Sequence, residues 1–296
     1  MKKTTTFSIA ILTVVLVFVG ISSFVLADLR NDEIKNDTQT KTEIKFAKTI
    51  LQNAAIKQGL SKIGEHQTYE VTGTDHWKGL LGKMGNPWPV NGDKLGLKFT
   101  VGDFDGQATV LVGNKAGFTA GLQSWDYYEK VNGKYSTDVK DDAGLTFILA
   151  AFHYFFEIGN RLLEAPFIRY AGVDSLNGEE VEKVFVSWGN EATKEYDQYV
   201  VWIGKESGLI EALTFTTRDN FKPTPAFLYG AILFDDFRNI DGILIPFLQS
   251  AQLGEPNGDA TDYVHQLKLE NFKWDGFSAK EIRPFKNEKA IGNNKP

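Results

Sequence analysis

The side chains that could do chemistry are few and scattered. Four histidines stand at His66, His76, His153 and His265, no two of them three or four residues apart, so a zinc site would need convergence over long stretches of chain. There is no cysteine, which removes disulfides, thiolate metal sites and a thiol nucleophile together. The sequence contains no G-x-S-x-G, H-E-x-x-H, G-x-G-x-x-G or Walker A pattern. Three local groupings remain. Asp75-His76-Trp77 sets a carboxylate beside an imidazole, the makings of a general base, and Trp77 with Trp88 adds aromatic surface for a sugar or a partner. VGDFDGQ places Asp103 and Asp105 before Gly106, an echo of a calcium loop that lacks the distant glutamate and reads as a hairpin turn. Asp235, Asp236 and Asp241 flank Arg238, as expected of a solvated strand end with a surface ion pair. These residues assign no catalytic group, no metal and no cofactor. A hydrolase or sugar-active enzyme using the Asp75/His76 region, and a structural sensor or scaffold with a filled core, stand as the alternatives to a binding protein.

One stretch is chemically unusual in another way. LTFILAAFHYFFEIGNRLLEAPF, Leu145 to Phe167, is too apolar for an ordinary surface helix and too polar for a membrane span. On a helix its polar residues His153, Glu157, Asn160 and Glu164 form one narrow stripe, and Pro166 stops it. Asp141 and Asp142 supply negative charge at its start, which suits the helix dipole. Two readings are open: the helix fills the core of a curved sheet, or it walls a cavity of lipid size. The cavity reading makes Phe147, Ile148, Phe152, Phe155, Phe156, Leu162 and Leu163 the lining, with His153 and Glu157 near a polar head. A membrane-surface helix fits poorly, because Arg161 is the lone cation.

The elements that must position this helix are mostly strands. Ile44, Ala47, Leu51, Ala54 and Ala55 recur at helical spacing, which predicts an amphipathic helix over 43–58 closed by Gly59. After it come segments rich in Val, Ile, Thr and aromatics, bounded by short Gly, Asn and Asp turns: HQTYEVTGTDHW, KLGLKFTV, QATVLVGN, VEKVFVSW and their successors. Asn132-Gly133 suits a type I′ hairpin, and GKESG a longer loop with Gly208 left-handed. Strands joined by short turns form an antiparallel meander. Alternation such as Glu182-Lys183-Val184-Phe185-Val186 predicts one face toward water and one toward a core. The fold class is therefore mainly antiparallel β with α, a curved open sheet packed against the N-terminal helix and the central apolar helix.

The ends of the chain carry an address. Lys2 and Lys3 precede an apolar run from Phe7 to Ala27 that closes on Val25-Leu26-Ala27, the pattern of an export signal; uncleaved, residues 7–27 would contact the membrane. Residues 1–27 are accordingly a signal peptide or anchor, 28–42 a solvated linker, 43–285 one domain and 286–296 a tail. Without Lys2 and Lys3 the chain has 30 basic against 38 acidic residues, which disfavours a nucleic-acid partner.

The helix KFAKTILQNAAIKQ before the first strand, the pair YVVWIGKESGLIEALTF and the later DDFRNIDGILIPF together resemble the lipoprotein-localisation-factor (LolA/LolB) type of bacterial envelope protein. Phe237 to Pro246 carries the likeness best, and Asp141 to Phe167 resembles the helical segment of uncharacterised envelope proteins of that type. The resemblance implies an open half-barrel closed by helices, a periplasmic or outer-envelope location, no enzymatic activity, and a lipid acyl chain or lipoprotein anchor as the hydrophobic ligand. The arginine that helps close the carrier's cavity matches no position here.

Overall fold

The structure, a computed structural model, describes residues 27–34, 37–88, 90–131, 133–136, 139–140, 142–189, 196–217 and 229–285. The expected leader up to Leu26, the tail 286–296, and Asn132 and Asp141 lie outside these residues. Thirteen strands form one antiparallel sheet: β1 (Thr68–Trp77), β2 (Asp93–Thr100), β3 (Gly106–Val110), β4 (Thr119–Gln123), β5 (Asp126–Val131), β6 (Lys134–Ser136), β7 (Phe167–Leu176), β8 (Glu179–Ser187), β9 (Gln198–Gly204), β10 (Ile210–Phe215), β11 (Gly230–Ile240), β12 (Ile243–Leu253) and β13 (His265–Trp274). Their spatial order is β6-β5-β4-β3-β2-β1-β13-β12-β11-β10-β9-β8-β7, so every neighbouring pair is consecutive in the chain except β1 with β13. Among the described residues β6 and β7 are open edges, and the sheet does not close into a barrel.

The turns follow from residue type. Asn177-Gly178 and Asp241-Gly242 both have positive φ at each position, the two-residue connection whose twist matches that of the strands it joins. Gly208 is left-handed in the β9–β10 loop, as its spacing predicts. Asp236 interrupts the β11 ladder with φ 51°, and the β1–β13, β7–β8 and β9–β10 ladders shift register, irregularities that bend and twist a strand.

Among the described residues four α-helices accompany the sheet: α1 (Leu29–Glu33), α2 (Lys41–Gln58), α3 (Gly79–Gly85) and α4 (Ala143–Leu163). Thr40 and Glu43 form a reciprocal capping box at the start of α2, and Gly59 ends it in the left-handed conformation. Asp142 caps α4, its Oδ1 accepting from the backbone of Gly144 and Leu145 at 2.9 and 3.0 Å. The helix stops at Leu163, before Pro166. Because α4 links β6 to β7, it connects the two edges of the sheet.

Ring contacts show the sheet curling around this helix. Tyr154 on α4 lies 6.4 Å from Phe104, just after β2, and 5.9 Å from Tyr199 on β9. In a flat sheet six strand spacings would set β2 and β9 about 29 Å apart. The concave face carries the main core, with Leu97, Phe99, Val184, Val201 and Ile245 against Ile148, Leu149 and Leu162 of α4. Gly159 permits the closest approach: a Cβ there would sit 2.4 Å from Leu60 Cδ1 and 3.2 Å from Ile210 Cδ1.

The convex face differs from expectation on one arm. On β2 alternate residues are buried and half-exposed, as predicted. On β8 and β9 both faces are covered. Leu29 and Ile34, in the stretch expected to be a solvated linker, pack with Phe185, Val200 and Trp202 on the outer face. Lys183, expected to meet water, is buried there, 2.8 Å from Glu33 and 3.1 Å from Asp174, with its ammonium over the Trp202 ring. The charges of 28–42 had signalled solvation, but two apolar residues among them suffice to seat the segment. Farther along, the Gln39 side chain donates to the backbone oxygen of Tyr170 and accepts from its N–H, at 2.6 and 2.9 Å, taking the place of a neighbouring strand beside β7.

Replacing Gly159 by Val is expected to overpack the α4 crossing and cost about 1–3 kcal/mol in denaturant unfolding. Gly64→Ala, with nothing near its added Cβ, should stay within about 0.5 kcal/mol.

Candidate functional site

A cavity of about 410 Å³ lies between α4 and the ends of β8, β9 and β10. The first turns of α4 contribute Phe147, Ala150, Ala151, Tyr154 and Phe155. The sheet side contributes Trp188, Tyr199 and Phe215, with Tyr196, Asp197, Thr216 and Thr217 at the strand ends. Phe104 and Trp125, from turns on the opposite arm, complete the wall; their rings lie 4.7 Å apart. The same curl that brings the arms together therefore builds the cavity. Asp197 Oδ1 accepts from Thr216 Oγ1 at 2.9 Å, which ties the start of β9 to the end of β10.

Of the nine residues expected to line a cavity, the structure places Phe147 and Phe155 in this wall. Phe156 faces a small recess of about 30 Å³ beside Phe155, Gly159 and Ile245. Ile148, Phe152 and Leu162 point into the packed core, and Leu163 packs half-buried against it. The reason is helical phase: α4 turns one stripe toward the floor of the sheet and another toward the gap between the arms, and hydrophobicity alone does not separate them. The residues missed from sequence are Tyr154 on the helix and the strand-end aromatics Trp188, Tyr199 and Phe215. Helical spacing from Phe147 and Ala151 could have found Tyr154; nothing local marks the others.

His153 and Glu157, expected near a polar head, lie outside the wall of this cavity. Both are almost wholly buried, with His153 Nε2 lying 2.9 Å from Glu157 Oε1. Glu157 also accepts from the Gly102 N–H at 3.1 and 3.2 Å and from Arg161 Nη2 at 2.9 Å. Arg161 Nη2 reaches the Gly102 carbonyl at 3.2 Å. The polar stripe is thus a clamp between α4 and the β2–β3 turn, and it satisfies a charge that would otherwise be expensive to bury. Burial pushes the nearby Tyr69 hydroxyl well above its ordinary pKa, with the Glu157 charge adding to the effect.

The Asp75-His76 pairing does not form. Strand alternation sends the two side chains to opposite faces, Asp75 fully buried and His76 exposed. Asp75 instead accepts from the indoles of Trp88 and Trp77 at 2.5 and 3.1 Å, and His265 Nε2 lies 2.5 Å from its other oxygen. Trp77 stacks on His265 at 4.1 Å. Asp93, opposite Asp75 on β2, is pushed up in pKa by burial, with the charge of Asp75 acting in the same direction. Asp75 is thus a polar pin within the sheet, with both of its oxygens occupied. Asp103 and Asp105 are likewise engaged, holding Arg283 at 3.1 and 2.6 Å. Among the described residues no three His, Asp or Glu side chains gather as a metal site, and no helix is long and apolar enough to cross a membrane.

No protein-family model matches the sequence, and no curated protein matches it. Solved structures do show similarity. A LolA superfamily protein from Nitrosomonas europaea is 11% identical, covers 80% of this chain and 96% of its own, and superposes with a TM-score of 0.47. A putative outer membrane lipoprotein-sorting protein domain from Vibrio parahaemolyticus is 10% identical over 81% of this chain and 97% of its own, with a TM-score of 0.46. A DUF1329 family protein from Desulfovibrio piger is 10% identical over 81% and 97%, with a TM-score of 0.49.

Glu157→Ala is expected to lower stability by roughly 3–5 kcal/mol, because it strands Arg161, His153 and the Gly102 N–H around a buried gap. Asp75→Asn should also destabilise, by about 1–3 kcal/mol, whereas His76→Ala should change unfolding by under about 0.5 kcal/mol. Thermal and urea unfolding of the three variants would check the assignment; equal losses for Asp75 and His76 would contradict it.

Proposed function

We propose that the protein is a non-enzymatic envelope binding protein that holds a hydrophobic ligand in the cavity between α4 and the β8–β10 ends. The observation that carries this is the cavity itself: about 410 Å³ of space walled, among the described residues, mainly by apolar and aromatic side chains, while the buried Asp75 and Glu157 carboxylates are already hydrogen-bonded elsewhere. That volume falls in the range of small-molecule sites, roughly 300–1,000 Å³, toward its lower end. One acyl chain or a compact apolar body suits it. A chain contributes about 0.8 kcal/mol per buried methylene, so a single chain binds usefully and still reversibly. The export pattern at the N-terminus supports an envelope location, and a lipid or lipoprotein anchor is the ligand class that fits an exported carrier.

The test is native mass spectrometry of protein exported by a bacterial host and purified without detergent, followed by organic extraction. An apolar bound mass is expected, and Phe147→Asp with Phe155→Asp should abolish it while the protein stays folded by circular dichroism. A folded double variant that retains the mass, or a wild-type protein that carries none and takes up no added lipid, would count against the reading.

A further inference from the structure

One stripe of α4 runs on past the point where the cavity stops. Phe147, Ala151, Phe155 and Gly159 follow one another at four-residue spacing, so they stand in a row along one side of the helix, about 6 Å apart. Phe147 and Ala151 line the cavity, Gly159 lines the small recess, and Phe155 lines both. Among the described residues no other side chain is shared by the two spaces. The residues a turn before and a turn after Phe155 are alanine and glycine, too small to divide a space.

The sheet repeats this order. Phe215, at one end of β10, walls the cavity, and Ile210, at the other end of that strand, walls the recess about 16 Å away. The Phe155 ring stands between them, its centre 5.0 Å from that of Phe215, and the two rings together close the inner end of the cavity. Beyond them the recess is lined by Ile210, Phe234 and Ile245, all buried and apolar. Its polar side chain, Gln58, accepts from the Ile210 N–H at 3.2 Å. A hydrocarbon tail meets the same kind of surface on either side of Phe155, so what stops it there is a ring and not a change of chemistry.

We propose that Phe155 sets the length of the apolar chain the protein holds, its ring dividing the cavity from the recess. This rests on the reading of the cavity as a binding site and narrows its ligand to a single unbranched hydrocarbon chain whose tip meets Phe155. Chains that end before the ring gain about four-fold in affinity with each methylene, and carbons beyond that length add nothing. Because Phe155 is only half-buried, shortening it leaves the core stripe of Ile148, Leu149 and Leu162 in place.

The experiment titrates the full protein calorimetrically with n-alkyl maltosides, which carry one straight chain of roughly six to fourteen carbons on a neutral sugar head, each kept below its micelle threshold. Affinity is expected to climb with chain length and then break to a plateau. In Phe155→Ala the break should move about two carbons longer, with shorter chains changed by under about three-fold. Adding Ile245→Phe, which returns a ring to the same place from β12, should move it back. Phe155→Leu, a milder shortening, serves if the alanine variant does not fold, and should move the break in the same direction. A break that stays put in the folded variant, one that Ile245→Phe does not reverse, or a wild-type affinity still climbing at the longest chain would overturn the role of Phe155 and leave the cavity standing as a binding site. Failure of every maltoside to bind the wild-type protein would overturn the binding-site reading itself.

Discussion

The sheet has its two free edges joined to each other by a single helix, and most of the architecture follows from that constraint. Thirteen strands laid flat would put β6 and β7 about 58 Å apart. The 21 residues of α4 span roughly 32 Å, a little over half that distance. Curling lets the connection be made with short linkers, and curling also gives the helix a concave surface to lie in. The register shifts on β1, β7 and β10 and the left-handed Asp236 are the local means of bending. So broad a sheet needs such means, because open sheets of more than about ten strands rarely stay flat and single.

A helix in that position has to be apolar nearly all round, for it faces sheet on several sides. It does two jobs with two stripes. Ile148, Leu149 and Leu162 complete the core, while Phe147, Tyr154 and Phe155 face the space left where the arms do not meet. The choice between a plug and a cavity wall, which the composition of the helix leaves open, is resolved by phase: the helix is both. Between these stripes the Glu157 clamp fixes the rotation of α4, and Gly159 fixes its depth. A rotation of about 100°, the step from one residue to the next, would exchange core residues for wall residues.

How much of this could be read from the chain depends on the range of the interaction. The end of α2 at Gly59, the stop before Pro166 and the left-handed Gly208 are local and were legible. The meander and its curl were legible in kind, from short turns and alternation with an apolar helix to cover. The seating of Leu29 and Ile34 was not, because charge density over 28–42 outweighed two apolar residues whose burial depends on a sheet far along the chain. Within the site, Asp75 and His76 were a misleading pair: adjacency along a strand means opposite faces, and the true neighbour of Asp75 is His265, 190 residues away. The aromatic wall was half visible, since α4 announces itself while Trp188, Tyr199 and Phe215 look like ordinary strand residues until the arms converge.

The amide of Gln39, which donates to and accepts from the Tyr170 backbone, has a bearing on how the molecule lives among its own copies. An unclosed sheet offers bare backbone at its rims, and a second chain can add itself there and begin a fibre. By impersonating one residue of a missing strand, Gln39 occupies the outward N–H and C=O of Tyr170 and interrupts the run of bare backbone on the β7 rim. That shortens the edge with which a second copy could pair, while the sheet itself stays open.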